Sequence, residues 1–394
     1  MRWLPPTILN SPLKDLTIRW ETSLVMMGTG GLMSMKTAMS LLVGAIINYV
    51  ILAPILIQSG VIHAAKFKDI AMWSMWGGAS MMTTASLFSF FSKPQMLIQS
   101  FTRAFSKVPK DKDQLAHIEL PMWVFLIGIP IIGGLTVWMG HVYFGVHYWL
   151  GIIAIPLVFI FTLIAVTSTG LTSITPGGAL GKLTQISYSI MAPGNIPTNL
   201  MTAGITSEVS LNASNLLMDI KPGYMLGAKP RQQAVGHVLG IFAGGVTSVY
   251  AFYYLFHGDI AMFTSDKMPL PGAMIWKAVA EVLGKGLSTL HPTAQVAVLV
   301  GGVIGLVLEI IGKKTKGKFP LTGVGLGLGF VLQFFNSLAM ALGALFFWVA
   351  KKKVTDKNSL SFRALIENQE TLCAGIIAGG SIIGIILALV EAAG

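Results

Sequence analysis

"LPMWVFLIGIPIIGGLTVWM", Leu120–Met139, runs for twenty residues without one charged side chain. Coiled as a helix at about 1.5 Å per residue, it is about 30 Å long, the thickness of a bilayer's hydrocarbon core. Leu41–Ile57, Trp149–Val166, Val235–Phe256, Val296–Ile311 and Cys373–Val390 read the same way. Ala71–Phe91 and Leu321–Ala350 follow with more small and polar residues, and Thr22–Met35 is short and glycine-broken. These runs predict an all-α, polytopic integral membrane protein of about 8–9 spanning helices. A transmembrane barrel would need strands of about ten residues with alternating polarity, and nothing here alternates for long. The composition agrees: 54% of the 394 residues are apolar, 11% are charged, and 44 are glycine.

The formal net charge is +11, and its placement argues against a nucleic-acid partner. Lys93, Arg103, Lys107, Lys110 and Lys112 occupy one loop, Lys313, Lys314, Lys316 and Lys318 a second, and Lys351–Lys353 a third. Basic residues in short loops beside spans mark the cytoplasmic side, whereas His141–His147, with no Lys or Arg, belongs outside. One conflict follows. A single apolar stretch, Leu321–Ala350, separates two clusters that both read as cytoplasmic. Either it is a bent pair of half-helices, or the Lys351–Lys353 cluster breaks the rule.

The lone cysteine, Cys373, excludes an internal disulfide and reads as a small buried apolar residue. No histidine pair has metal-binding spacing, so no metal site and no cofactor is expected. The N-terminus lacks the apolar core of a cleavable signal peptide. Residues 93–119 form the longest soluble stretch, a cytoplasmic loop with an amphipathic pattern at Met96–Phe105. Residues 258–292 read as an external loop whose Ala273–Leu290 part resembles an interfacial helix. The pairs Gly240/Gly244, Gly301/Gly305, Gly375/Gly379 and Gly380/Gly384 predict close helix packing. "GVGLGLG", Gly323–Gly329, has glycine at every second position and predicts flexible or unwound backbone.

Residues 172–230 lie between two good spans without forming one. Prolines 176, 193, 197 and 222 predict short, re-entrant or broken helices around 172–220. Irregular backbone at membrane depth survives only when buried in protein or lining a wet cavity, and such breaks commonly build transporter sites. "GGALGK" fails as a phosphate loop, because three residues separate Gly177 from Gly181 and Leu183 follows Lys182. Glu208, Asn212, Asn215 and Asp219, at i, i+4, i+7 and i+11, form one polar stripe on a helix. That stripe either lines a cavity or ties helices together, with Asp219 paired to Lys221 or Arg231. Ionisable groups at membrane depth are functional candidates, so Glu208 and Asp219 become proton-coupling candidates, with His237 a third. Thr175, Gly177, Gly178, Asn195 and Asn199 are candidate substrate contacts beside the stripe, and Arg231 can grip a carboxylate bidentately. No zinc-protease motif, nucleophile elbow or cysteine dyad is present, so the chain is not read as an enzyme.

The run Asn199–Gly240, with Asp219, Lys221, Gly223, Tyr224, Pro230 and Arg231 in place, resembles the oligopeptide transporter (OPT) family, including its yellow stripe-like branch. The segments starting at Arg19 and Phe319 resemble family segments in the right order. The resemblance implies one transmembrane transporter domain over 1–394, in a plasma or bacterial inner membrane. It also implies proton-coupled transport of small peptides or peptide-like metal chelates, and it adds Tyr224 to the substrate-contact candidates. It covers mainly the family's C-terminal portion, which implies a homodimer or a second chain supplying the N-terminal portion. A half-length subunit without independent transport is the alternative.

Overall fold

Apolar length becomes helix almost everywhere. The computed structural model describes residues 7–9, 11–20, 23–92, 94, 95, 98, 117–172, 175, 177–256, 271–286, 288 and 290–393. Among them, Met35–Gln58, Met122–Phe144, Tyr148–Thr167, Pro230–Tyr254, Pro292–Lys314, Phe334–Lys353 and Gln369–Leu387 are long and apolar enough to cross a membrane. The expected span Ala71–Phe91 is helical but is not one of these seven. Most of the expected 93–119 loop, and residues 258–270 of the expected external loop, lie outside the described residues.

The helices, in chain order, are α1 (Leu24–Leu32), α2 (Met35–Gln58), α3 (Phe67–Phe91), α4 (Met122–Phe144), α5 (Tyr148–Thr172), α6 (Gly177–Met191) and α7 (Ile196–Met225). Then come α8 (Pro230–Phe256), α9 (Pro271–Lys285), α10 (Pro292–Lys314), α11 (Gly323–Gly329), α12 (Phe334–Lys353) and α13 (Gln369–Ala393). A two-residue strand pair, Thr7–Ile8 with Ser11–Pro12, precedes them. Within α2 the ladder widens to a π-turn at Ile47–Leu52, just where Pro54 removes a backbone donor. The chain forms two compact units: Met1–Ala85 with Phe252–Ala278 and Leu290–Gly394, and Ser86–Ala251 with Val279–Thr289.

In the first unit the glycine-rich run corrects its own reading. Gly323–Gly329 is not unwound: it is the helix α11, and its glycines exist for contact. A Cβ on Gly327 would sit 2.6 Å from Met82 Cγ and 2.7 Å from the Gly78 carbonyl oxygen. One on Gly325 would sit 2.8 Å from both Ser40 Cβ and the Thr37 carbonyl oxygen. Packing of backbone on backbone outweighs the roughly 1 kcal/mol per glycine that propensity costs.

α11 runs parallel to α2, meeting Thr37 and Ser40 first, then Leu41 and Ala45, then Asn48. The chain breaks at Phe330–Gln333 and returns as α12. Phe334 at the start of α12 packs with Tyr49 and Ala53, while Phe347 lies beside Gly31, four residues before α2 begins. The Leu321–Ala350 stretch is therefore a bent pair, and it brings the Lys313–Lys318 and Lys351–Lys353 clusters to the same end of this unit. Lys36 Nζ beside Gly312 marks that end as well.

The break leaves few backbone groups bare. The Phe330 carbonyl accepts from Asn48 Nδ2 (3.2 Å) and Ser74 Oγ (2.8 Å), and the Phe334 N–H donates to Thr17 Oγ1 (2.9 Å). At the entrance, the Thr322 N–H donates to Ser40 Oγ (2.9 Å) and the Gly325 N–H to Thr322 Oγ1 (3.1 Å). Away from water each bare group would cost several kcal/mol, so these contacts permit a helix break at membrane depth.

In the second unit α7 packs against both α5 and α6, and Tyr188 of α6 donates its hydroxyl proton to the Leu150 carbonyl of α5 at 2.8 Å. The break expected around 172–220 falls at Pro193–Asn195, between a helix of 15 residues, α6, and one of 30, α7, the second longer than the short pieces expected. Pro193 falls in the turn between them. Pro197 sits in the first turn of α7, where a missing N–H costs little, and Pro222 lies in its last turns.

The glycine pairs divide. Gly301 and Gly305 press on the backbones of Gly77 and Met81, while Gly240, Gly244, Gly375, Gly379 and Gly384 face open space. α4 and α8 bury none of their apolar span.

Candidate functional site

The α6–α7 hairpin is set by its turn. Gly194 adopts a positive φ of 75°, and Asn195 Oδ1 accepts the Thr198 N–H at 3.1 Å, capping α7. Asn195, expected as a substrate contact, is thus the residue that starts the helix. Asn199, one turn on, faces α6. Its Nδ2 donates to the Gln185 carbonyl (2.6 Å) and to Ser189 Oγ (2.7 Å), while its Oδ1 is buried without a partner.

Beside Asn199 a buried polar face runs along the helix as far as Ser214: Thr198, Thr202, Thr206, Ser210 and Ser214, spaced four residues apart. Thr202 Oγ1 donates to the Thr198 carbonyl (2.8 Å), Thr206 Oγ1 to the Thr202 carbonyl (2.7 Å) and Ser214 Oγ to the Ser210 carbonyl (2.9 Å). Thr198 Oγ1 and Ser210 Oγ are buried with no hydrogen-bond partner. Gln185 and Lys182 of α6 are buried too, with Lys182 Nζ 3.5 Å from Gln185 Oε1.

The charged stripe lies on the other side. Glu208 is two residues, or about 200°, from both Thr206 and Ser210. Glu208, Asn215 and Asp219 are exposed and Asn212 half-buried. Asn212 Nδ2 donates to the Glu208 carbonyl (3.0 Å) and to its carboxylate (3.2 Å). Asp219 and His237 do come together, with Oδ2 and Nδ1 3.8 Å apart, and His237 Nε2 is buried without a partner. Among the described side chains Asp219 thus meets His237 rather than Arg231, and the side chain of Lys221 lies outside the described ones.

The remaining candidates scatter. Half-buried Thr175 shares a 2.8 Å hydrogen bond with Thr169 of α5. Gly177 starts α6, and Gly178 faces open space. These three stand at the far end of α6 from Asn195, and 15 residues of helix are about 22 Å long. Tyr224 and Arg231 are exposed, and the Arg231 N–H donates to the Ile118 carbonyl at 3.1 Å. Among the described residues no three His, Cys, Asp or Glu side chains gather as a metal site would require.

The hydroxyl face is not among the expected site residues, because serine and threonine raise no alarm singly. Its signal is still in the sequence: Thr198, Thr202, Thr206, Ser210 and Ser214 recur every fourth residue.

A family model described as OPT oligopeptide transporter protein matches residues 6–390. The chain is 28% identical over 210 residues to a candidate oligopeptide transporter of Saccharomyces cerevisiae, covering 50% of this chain and 27% of that protein. It is 21% identical over 372 residues to the metal-nicotianamine transporter YSL2 of Oryza sativa subsp. japonica, covering 87% of this chain and 55% of the relative. A candidate oligopeptide transporter of Haemophilus influenzae is 28% identical over 207 residues, covering 49% of this chain and 32% of that protein. The chain thus spans from about a quarter to about half of the length of these relatives.

Proposed function

The chain belongs to the OPT oligopeptide transporter family, and we propose on that premise that it carries out secondary, proton-coupled transport of small peptides or peptide-like metal chelates. The observation that carries this reading is the buried polar face of α7 against α6. Buried hydroxyls and amides are costly among apolar spans unless they meet partners or serve a ligand, and several here have no protein partner. Asp219 and His237 are the coupling candidates that face each other. Glu208 serves the same role from the exposed stripe, with Arg231 and Tyr224 as contacts for the substrate's carboxylate end.

A second reading is favoured by the partial coverage of the relatives: transport requires a second chain or a second copy. Uptake of labelled di- to tetrapeptides and of a metal–nicotianamine chelate into proteoliposomes, under an imposed proton gradient, tests both. Gradient-dependent uptake by the purified chain is the expected result. Uptake only after adding a co-encoded partner selects the second reading, and no uptake from folded protein in either arrangement overturns the proposal.

A further inference from the structure

Between α2, α3 and α10 of the first unit the surface opens into a groove of about 510 Å³. Its floor is built by residues that withhold side chains. Gly301 meets the Gly77 backbone so closely that a Cβ there would collide with the Gly77 carbonyl oxygen, and a Cβ on Gly77 would sit 3.5 Å from the Ala297 carbonyl oxygen. The walls are large by contrast: Trp73 and Met81 of α3, Ile304 of α10, and Phe330 at the hairpin break.

The lining is apolar. Trp73 and Thr293 are its only side chains with nitrogen or oxygen, and they are spent on each other, the indole N–H donating to Thr293 Oγ1 at 3.0 Å. Water held in a cavity needs two to four polar partners. This groove offers water, or a polar ligand, no uncommitted side chain.

Its place along the helices says what can fill it. Pro292–Lys314 and Met35–Gln58 are both long and apolar enough to cross a membrane. On α10 the groove starts at Thr293, beside the first residue of the helix, and ends at Ile304, near its middle; on α2 it runs from Leu52 to Ile47, again near the middle. The helix rises about 16 Å from Thr293 to Ile304, about half the thickness of a hydrocarbon core of about 30 Å. That is the reach of one leaflet, from its polar boundary to the bilayer midplane. Val296 and Val300 on the rim are 59% and 51% exposed, so the groove opens sideways along the span. Lys313 and Lys314 close α10 at its other end, which places the groove in the leaflet opposite the lysine clusters.

We propose that this groove is a lipid site, taking one acyl chain of a phospholipid from that leaflet. The headgroup lies at the His291–Thr293 end, where Trp73 holds the boundary position that indoles favour. The chain packs over Gly77, Ala297 and Gly301 and reaches Phe330, so the lipid forms one more wall beside the broken hairpin. Bulk lipid tails are as apolar as the groove, so the chain is held by van der Waals contact with a preformed cleft rather than by the hydrophobic effect. The inference needs the membrane class alone and is independent of the transport reading.

The probe is a phosphatidylethanolamine with a diazirine midway along one acyl chain, photolysed with the purified full chain in detergent, where surrounding lipid is diluted away. Saturable adducts are expected in both Trp73–Met81 and Thr293–Ile304, competed by the same lipid without the diazirine. Ala297→Phe, which fills the floor, should weaken this labelling about tenfold. If that variant does not fold, Val300→Phe on the exposed rim takes its place with the same expectation. Labelling that rises without saturating, or that the folded variant leaves unchanged, shows bulk lipid only and overturns the proposal. A second copy of the chain is the rival occupant, tested in a bilayer by Val300→Cys in a Cys373→Ser background. A thiol that stays unpaired on oxidation is expected, whereas a disulfide between two copies puts protein over the groove and overturns the lipid site.

Discussion

Two helix breaks, one in each unit, can be set side by side. At Phe330–Gln333 the backbone breaks and other residues repair it: Asn48, Ser74 and Thr17 take the freed groups, and the glycines of α11 bring neighbouring backbones into contact. At Pro193–Asn195 the backbone is equally tidy, closed by Gly194 and the Asn195 cap. There the side chains are what remain unsettled, with Asn199 Oδ1, Thr198 Oγ1 and Ser210 Oγ unpartnered and a lysine drawn inside. A broken helix in a membrane is therefore no signature of a site in itself. Buried polar atoms left unspent are the better guide.

The largest effect should come from filling the tight break. Gly327→Leu is expected to abolish a folded, monodisperse protein, since overpacking of this kind costs about 3 kcal/mol or more. Normal yield and an unchanged thermal midpoint in detergent would show that α11 yields rather than braces. Next, Asn48→Leu with Ser74→Ala strips both donors from the Phe330 carbonyl and should cost about 1–3 kcal/mol. If the double variant unfolds at the wild-type temperature, the repair of this break is not what holds it.

Across the comparison, Thr206→Val removes one hydroxyl that only bonds back to its own helix. It should shift stability by less than about 1 kcal/mol, because the net worth of such a bond is small. A larger loss would mean that the α7 face is structural cement. The smallest effect is expected at Glu208→Gln on the exposed face, within about 0.5 kcal/mol in the same melting assay.

The membrane class and most of the spans were legible because hydrocarbon imposes a length and a polarity that a sequence displays openly, and the family because Asn199–Gly240 keeps Asp219, Lys221, Gly223, Tyr224, Pro230 and Arg231 in place. What the sequence leaves open depends on what faces what. "GVGLGLG" has poor helix propensity, and only the close approach of α2 and α3 explains why it coils. Gly240 and Gly244 carry the same spacing as Gly301 and Gly305, yet one pair is uncovered and the other is pressed on a backbone. The Glu208–Asp219 stripe drew attention because it is charged, while the quieter face 200° away is the buried one. Lys182 stands in the sequence only within a failed phosphate loop, since nothing in six letters tells a buried lysine from an exposed one.

The bent pair α11–α12 has a consequence for arithmetic. A hairpin that enters and leaves at one end adds nothing to the parity of crossings, although hydropathy scores Leu321–Ala350 as one. Counting it so would invert the side given to everything that follows, from Lys351 to the end of α13. Thr315 and Asp356, before and after the hairpin, share one compartment in this arrangement. In a Cys373→Ser background, which has no other cysteine, thiols placed at those two positions should be modified together by an impermeant reagent or spared together.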